Sequence, residues 1–252
     1  MKRLYEKNEF GFAIMWIVLY VVLFSIADSI SASVGVVKVV TAPLCIAMTV
    51  FLWVWIARNG LKEKYGLCMF KGNKKHFLYF LPLLVVATSN VWFGVTMNLS
   101  VRETLLYVIS MLCVGFLEEV IFRGFLFKVM CKDNVTRAIL ISSITFGMGH
   151  IVNLLNGAEL VPTLIQICYA TTIGYLFTII FYKGKSLWPC IMTHGIINSL
   201  SVFAVERDDA FVRILTLVVL TVVPVGYAVW IIRKERGELG APADRAILNG
   251  RY

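Results

Sequence analysis

Two adjacent glutamates and an arginine sit inside an apolar run, Gly115-Phe116-Leu117-Glu118-Glu119-Val120-Ile121-Phe122-Arg123-Gly124. Carboxylates can shuttle protons or hold a metal, and a guanidinium pairs with carboxylates, but none of these groups is at ease in hydrocarbon. Insertion scales place an Asp, Lys or Arg at the centre of a membrane helix at about +2.5 to +3.5 kcal/mol. Such charges need partners or a chemical task. Glu119 and Arg123 stand at i and i+4 with the acid first, the favourable orientation for pairing on one helix face. Glu118 points about 100° away around the helix and has no local partner. It must find one on another helix or bind a proton, a metal or water. An unpaired carboxylate in an apolar setting is suited to act as a general base near neutral pH.

Histidine is the next group with chemistry to offer. His76 opens an apolar segment at a basic boundary and reads as interfacial. His150 closes the run Phe146-Gly147-Met148-Gly149-His150, and His194 lies within Trp188-Pro189-Cys190-Ile191-Met192-Thr193-His194, with Asn198 one turn further on the same face. At about 1.5 Å of rise per residue, Glu118, His194 and His150 fall at compatible depths of about 12 to 20 Å. Glu118 with a histidine can hold and deprotonate a water. A histidine and an asparagine amide one turn apart offer two donors for a developing oxyanion. No Gly-x-Ser-x-Gly elbow and no His-Glu-x-x-His zinc helix is present, so hydrolysis of an amide by water without a covalent intermediate suits the groups best. Glu118, His150 and His194 could also form an open three-ligand zinc site. Asn198 makes better sense as an oxyanion donor, so no cofactor is favoured and zinc is the alternative.

These residues must be positioned by membrane helices. The 252-residue chain is 59% hydrophobic and 15% charged, against about 25% charged in a soluble domain. Apolar segments cover about 10–30, 36–57, 76–97, 103–128, 137–152, 162–182, 187–205 and 211–232. The expected fold is an all-α, polytopic bundle of about eight spans, with a site between the fourth, fifth and seventh. Residues 1–236 read as a single transmembrane domain, and 237–252 as a polar, flexible cytoplasmic tail. Pro43, Pro82 and Pro224 are expected within spans, and Pro162 and Pro189 near helix starts. Gly147, Gly149 and Gly195 are expected to let helices approach closely.

The net charge of +9 follows topology. With both termini cytoplasmic, the outer segments hold only Lys38, Arg102, Arg207 and Arg213, and Arg123 lies within the membrane. Every other lysine and arginine falls on the inner side, a positive-inside pattern. It suits anionic lipid headgroups and argues against a nucleic-acid partner. The six cysteines are scattered, without a Cys-x-x-Cys, and read as small packing residues.

Glu118-Glu119-x-x-x-Arg123, then Phe146-x-x-x-His150, then His194-x-x-x-Asn198 resemble the three motifs of the CPBP intramembrane proteases, also called the CAAX protease and bacteriocin-processing, or Abi, family. The resemblance covers about residues 105–205, and the motif positions show no departure. It implies that Glu118 activates water with His150 assisting, that His194 and Asn198 line the oxyanion site, and that Glu119, Arg123 and Phe146 support them. The implied activity is endoproteolysis within the membrane. The implied substrate is a membrane-associated peptide or protein, as in CAAX processing, peptide-signal maturation or bacteriocin immunity. A multi-pass protein of a bacterial plasma membrane is expected. A proton- or ion-coupled transporter using the same charges as a relay, and a catalytically silent peptide-binding immunity or scaffold protein, are the competing readings.

Overall fold

The computed structural model describes residues 1–205 and 209–238. Arg207 and the expected polar tail beyond Glu238, with Arg245 and Arg251, lie outside the described residues. The order is α1 (Lys2–Lys7), α2 (Glu9–Val34), α3 (Thr41–Arg58), α4 (Leu81–Thr88) and α5 (Val101–Glu118), followed without a break by a π-helical segment, Glu119–Phe127. Then come α6 (Lys128–Met130), α7 (Val135–Gly149), α8 (Val152–Leu155), α9 (Leu160–Gly184), α10 (Trp188–Leu200) and α11 (Ala210–Glu238). Among the described residues the only β feature is an isolated antiparallel bridge between Val95 and Ala204.

Among the described residues six helices are long and apolar enough to cross a membrane: α2, α3, Val101–Met130, Val135–Leu155, α9 and Ala210–Glu235. The third and seventh apolar segments behave differently. The third forms a short apolar helix, Leu78–Val91, and the seventh yields the 13-residue α10. At 1.5 Å per residue α10 covers about 20 Å, against about 30 Å of hydrocarbon. Prolines contribute to these boundaries. Pro82 and Pro189 occupy the first turns of α4 and α10, where a missing N–H costs nothing. Pro82 therefore starts a helix rather than interrupting a span, and Pro43 likewise lies in the first turn of α3. Pro224 is inside α11. Before α4 the chain makes three consecutive left-handed residues, Leu78, Tyr79 and Phe80, a costly conformation for side chains with a Cβ. Helix α11 braces this break, because the Tyr227 hydroxyl donates to the Phe77 carbonyl and Trp230 Nε1 to the His76 carbonyl.

The surface is apolar. Val18, Val22, Ile26 and Ile30 along α2 are exposed, while Glu119 and Arg123 are wholly buried. This inversion of the soluble pattern is how a helical bundle meets lipid. The motif-bearing helices sit centrally: α5 packs on α10 and α3, α7 on α9, α9 on α11, and α2 on the π segment. The basic stretch between α3 and α4 is packed down. Its Gly66 carbonyl accepts from Leu187 N at 2.8 Å, and its Lys71 N donates to the Gly184 carbonyl at 3.0 Å.

Helices α5 and α10 meet glycine on glycine. A Cβ on Gly115 would lie 2.6 Å from Gly195 N, 2.8 Å from its Cα and 3.0 Å from the Ile191 carbonyl oxygen. All are backbone atoms, so no side chain can yield. Gly115→Ala must therefore separate the two helices, at about 1–3 kcal/mol or more for such overpacking. The expected result is a lowered melting temperature in detergent together with loss of function, because Glu118 and His194 ride on these helices. An unchanged melt would refute the close packing. Gly147 is equally confined, with its Cβ position 2.0 Å from Thr171 Oγ1. Gly149 has nothing within 4 Å, so it does not mediate the close approach expected of it.

Candidate active site

Glu118 ends α5 and Glu119 begins the π segment, so the wider π turn starts between the two acids. Single-turn departures of this kind concentrate at functional sites. Glu119 turns inward. Its Oε1 accepts from Arg123 Nη1 at 3.0 Å and lies 2.9 Å from His194 Nδ1, with both Glu119 and Arg123 fully buried. The i, i+4 pair read from the sequence is present, and it has a third member in His194. Arg123 Nε and Nη2 make no hydrogen bond among the described residues. Instead the guanidinium lies over the Phe146 ring at 4.0 Å and near Phe177 at 5.8 Å, where the ring faces offer negative potential. Gly174 makes the space, since a Cβ there would stand 2.9 Å from Arg123 Nη2 and 3.0 Å from Phe146 Cδ1.

Glu118 turns the other way. Its Oε1 accepts from the Tyr20 hydroxyl at 2.7 Å, and its Oε2 lies 3.5 Å from His194 Nε2. The acid without a local partner thus meets groups on α2 and α10. Phe146 stands edge-on to both histidines, with ring centroids 5.7 Å from His150 and 5.6 Å from His194, so it spaces the two imidazoles as well as covering Arg123.

Glu118, His150, His194 and Asn198 all line one cavity of about 370 Å³. A smaller arm of about 130 Å³ shares Glu118, Phe146 and His150 and reaches Tyr20. The family resemblance implies that His150 assists Glu118 in activating water. In the structure these two are not hydrogen-bonded to each other, and His194 is the imidazole that approaches Glu118. Asn198 keeps its place one turn beyond His194, and its carbonyl accepts from Ser201 Oγ at 2.7 Å. His76 lies elsewhere, with Nδ1 3.0 Å from Glu235 Oε1 on α11.

Zinc has a specific requirement, at least three convergent ligands. Among the described residues no group of three or more His, Cys, Asp or Glu side chains is arranged to hold a metal ion. His194 Nδ1 is held by Glu119 Oε1 at 2.9 Å, which leaves Nε2 on the cavity side, 3.5 Å from Glu118 Oε2.

Residues 100–200 match the family described as type II CAAX prenyl endopeptidase Rce1-like. Over that stretch the chain is similar to a family of CAAX proteases. The motif resemblance and this match coincide over the same helices, α5 through α10, in an integral, multi-pass helical membrane protein. No curated protein and no solved structure matches the chain.

Motif reading misses what lies outside the matched segment. Tyr20 is one such residue. A phenol in an apolar helix is ordinary, and only the need of a buried hydroxyl for a partner hints at its role. Asp28 gave a plainer signal, a carboxylate within the first apolar segment. It lines both arms of the cavity, held by Lys38 Nζ at 2.7 and 2.8 Å and by the Thr41 hydroxyl at 2.5 Å. Lys38 also lies 4.7 Å from the Phe24 ring.

Proposed function

We propose that the protein is an intramembrane endopeptidase that hydrolyses a peptide bond of a membrane-associated peptide or protein, with water as the nucleophile. The observation that carries this reading is the convergence of Glu118, His150, His194 and Asn198, from three separate helices, on one cavity backed by the buried Glu119–Arg123 pair. Glu118 takes a proton from water as the oxygen attacks the scissile carbonyl carbon, and His150 across the cavity helps to hold that water. With Glu119 ionised against Arg123, His194 in its doubly protonated form donates through Nδ1 to Glu119 and through Nε2 into the cavity. There Nε2 and the Asn198 amide serve the oxyanion of the tetrahedral intermediate. Collapse breaks the C–N bond, and the proton held by Glu118 passes to the departing amine.

A CAAX-type carboxy-terminal segment, or a bacteriocin or signal peptide undergoing maturation, is the substrate class consistent with the family match. The excess of basic residues in the inner segments supports a topology with both termini cytoplasmic and favours anionic headgroups on that side; a bacterial plasma membrane is the setting proposed with it.

The test is cleavage of membrane-anchored peptides by purified protein in ¹⁸O-labelled water, read by mass spectrometry. One ¹⁸O should enter the new carboxyl group. His150→Ala should lower kcat about a hundredfold, the lower range for losing an acid–base group. His150→Ala cleaving at the wild-type rate would remove His150 from the mechanism.

A further inference from the structure

We propose that Tyr20, on the first long helix and far outside the matched segment, is a positioning residue for Glu118. This rests on the reading of Glu118 as the base. A carboxylate can only accept, so at 2.7 Å the phenol hydroxyl donates to Glu118 Oε1. The ring is buried at 6% exposure and rests against Phe24, one turn on, at 5.6 Å between centroids. Helix α2 is itself held against the π segment that follows Glu118. The hydroxyl therefore arrives from a fixed support.

The geometry assigns a consequence to each carboxylate oxygen. Oε1 is held by α2 through Tyr20, and Oε2 faces His194 Nε2 on α10 at 3.5 Å. Two helices from opposite ends of the chain thus define the plane of one carboxylate. A glutamate side chain has three rotatable bonds, and among the described residues the Tyr20 hydroxyl is the group that hydrogen-bonds this one. Tyr20 restrains that freedom and leaves Oε2 on the side of the cavity that His194 lines. Such restraint acts on the rate of the chemical step, since small misplacements of a reacting group are costly. A merely structural tyrosine would contribute to folding and leave kcat alone.

Tyr20→Phe keeps the ring and its Phe24 contact and deletes one oxygen. The expected result is a fall in kcat of about ten- to hundredfold, the range of a hydrogen bond to an ionised group, with KM within about twofold. Glu118→Asp supplies the control, because it draws the carboxylate back by one methylene, out of reach of the phenol. Adding Tyr20→Phe to it should change the remaining kcat by less than about twofold, since the two residues act as a unit. All rates are compared well below every variant's melting transition, so a stability change cannot imitate the result. Full kcat in Tyr20→Phe overturns the inference, as does a loss confined to KM, or an equal further loss in the Glu118→Asp background. A wild-type rate in Glu118→Gln would sink the underlying reading of Glu118. An inactive Glu118→Gln beside a fully active Tyr20→Phe would sink the inference about Tyr20 alone.

Discussion

Glu118→Gln is expected to lower kcat at least about a thousandfold while leaving the fold and substrate capture intact. General acid–base groups contribute about 10²- to 10⁴-fold, and here one group both takes the proton from water and returns it to the leaving amine. The glutamine amide has nearly the same shape. Its carbonyl oxygen can still accept from the Tyr20 hydroxyl, as Glu118 Oε1 does at 2.7 Å. What it cannot do is hold the proton. Removing a charge from the cavity wall should if anything ease folding, so the melting temperature in detergent should hold or rise. The measurement is kcat on a cleaved peptide alongside binding of the same peptide. Equal cleavage by Glu118→Gln and wild type would end the mechanism proposed here, whatever the family match.

Arg123→Met should have the largest effect on stability. Arg123 and Glu119 are both fully buried, joined at 3.0 Å, with the guanidinium laid over Phe146 at 4.0 Å. Breaking a buried pair by removing one partner costs about 3–5 kcal/mol, because the other charge is left uncompensated. Thermal unfolding in detergent should move down accordingly. The double variant Glu119→Gln/Arg123→Met removes both charges and should regain most of that stability, as replaced buried pairs often do. It should not regain activity, because His194 Nδ1 then loses the ionised acceptor 2.9 Å away that steadies the ring in its doubly protonated form. A single variant that melts with the wild type would show that Glu119 is compensated by some other group. A double variant with full activity would detach the pair from catalysis.

What could be read from the sequence was local. Glu119 and Arg123 are one turn apart, so their pairing needs only helix geometry. His194 and Asn198 are likewise one turn apart on α10 and reach the cavity together. The all-helical membrane bundle followed from apolar runs, which measure composition. Composition does not measure helix length, and so the segments around 76–97 and 187–205 look like spans while forming short helices. Glu118 was recognisable as an acid lacking a local partner, but not the identity of its partners. Tyr20 lies 98 positions away, and no periodicity connects α2 to the end of α5. The π segment was also hidden, because the spacing of apolar side chains over Glu119–Phe127 reads equally well at α-helical pitch. Only the structure shows it, with the two adjacent acids reaching the two nitrogens of one histidine, His194.

The short helices bear on a different matter, the supply of reactants. Hydrolysis consumes one water per bond cut, and the interior of a bilayer holds almost none. Helix α10 brings His194 and Asn198 to the cavity, yet at 13 residues it falls about 10 Å short of the hydrocarbon thickness, and α4, packed beside it, has 8 residues. Two neighbouring helices that stop early leave no full-height apolar wall on that flank. The side chains there include Asn90, whose amide caps the Ile197 carbonyl at 2.7 Å, and Ser89, and both line the cavity. On the proposed function, a hydrophilic chamber beside two short helices would let water arrive without crossing a full leaflet of lipid.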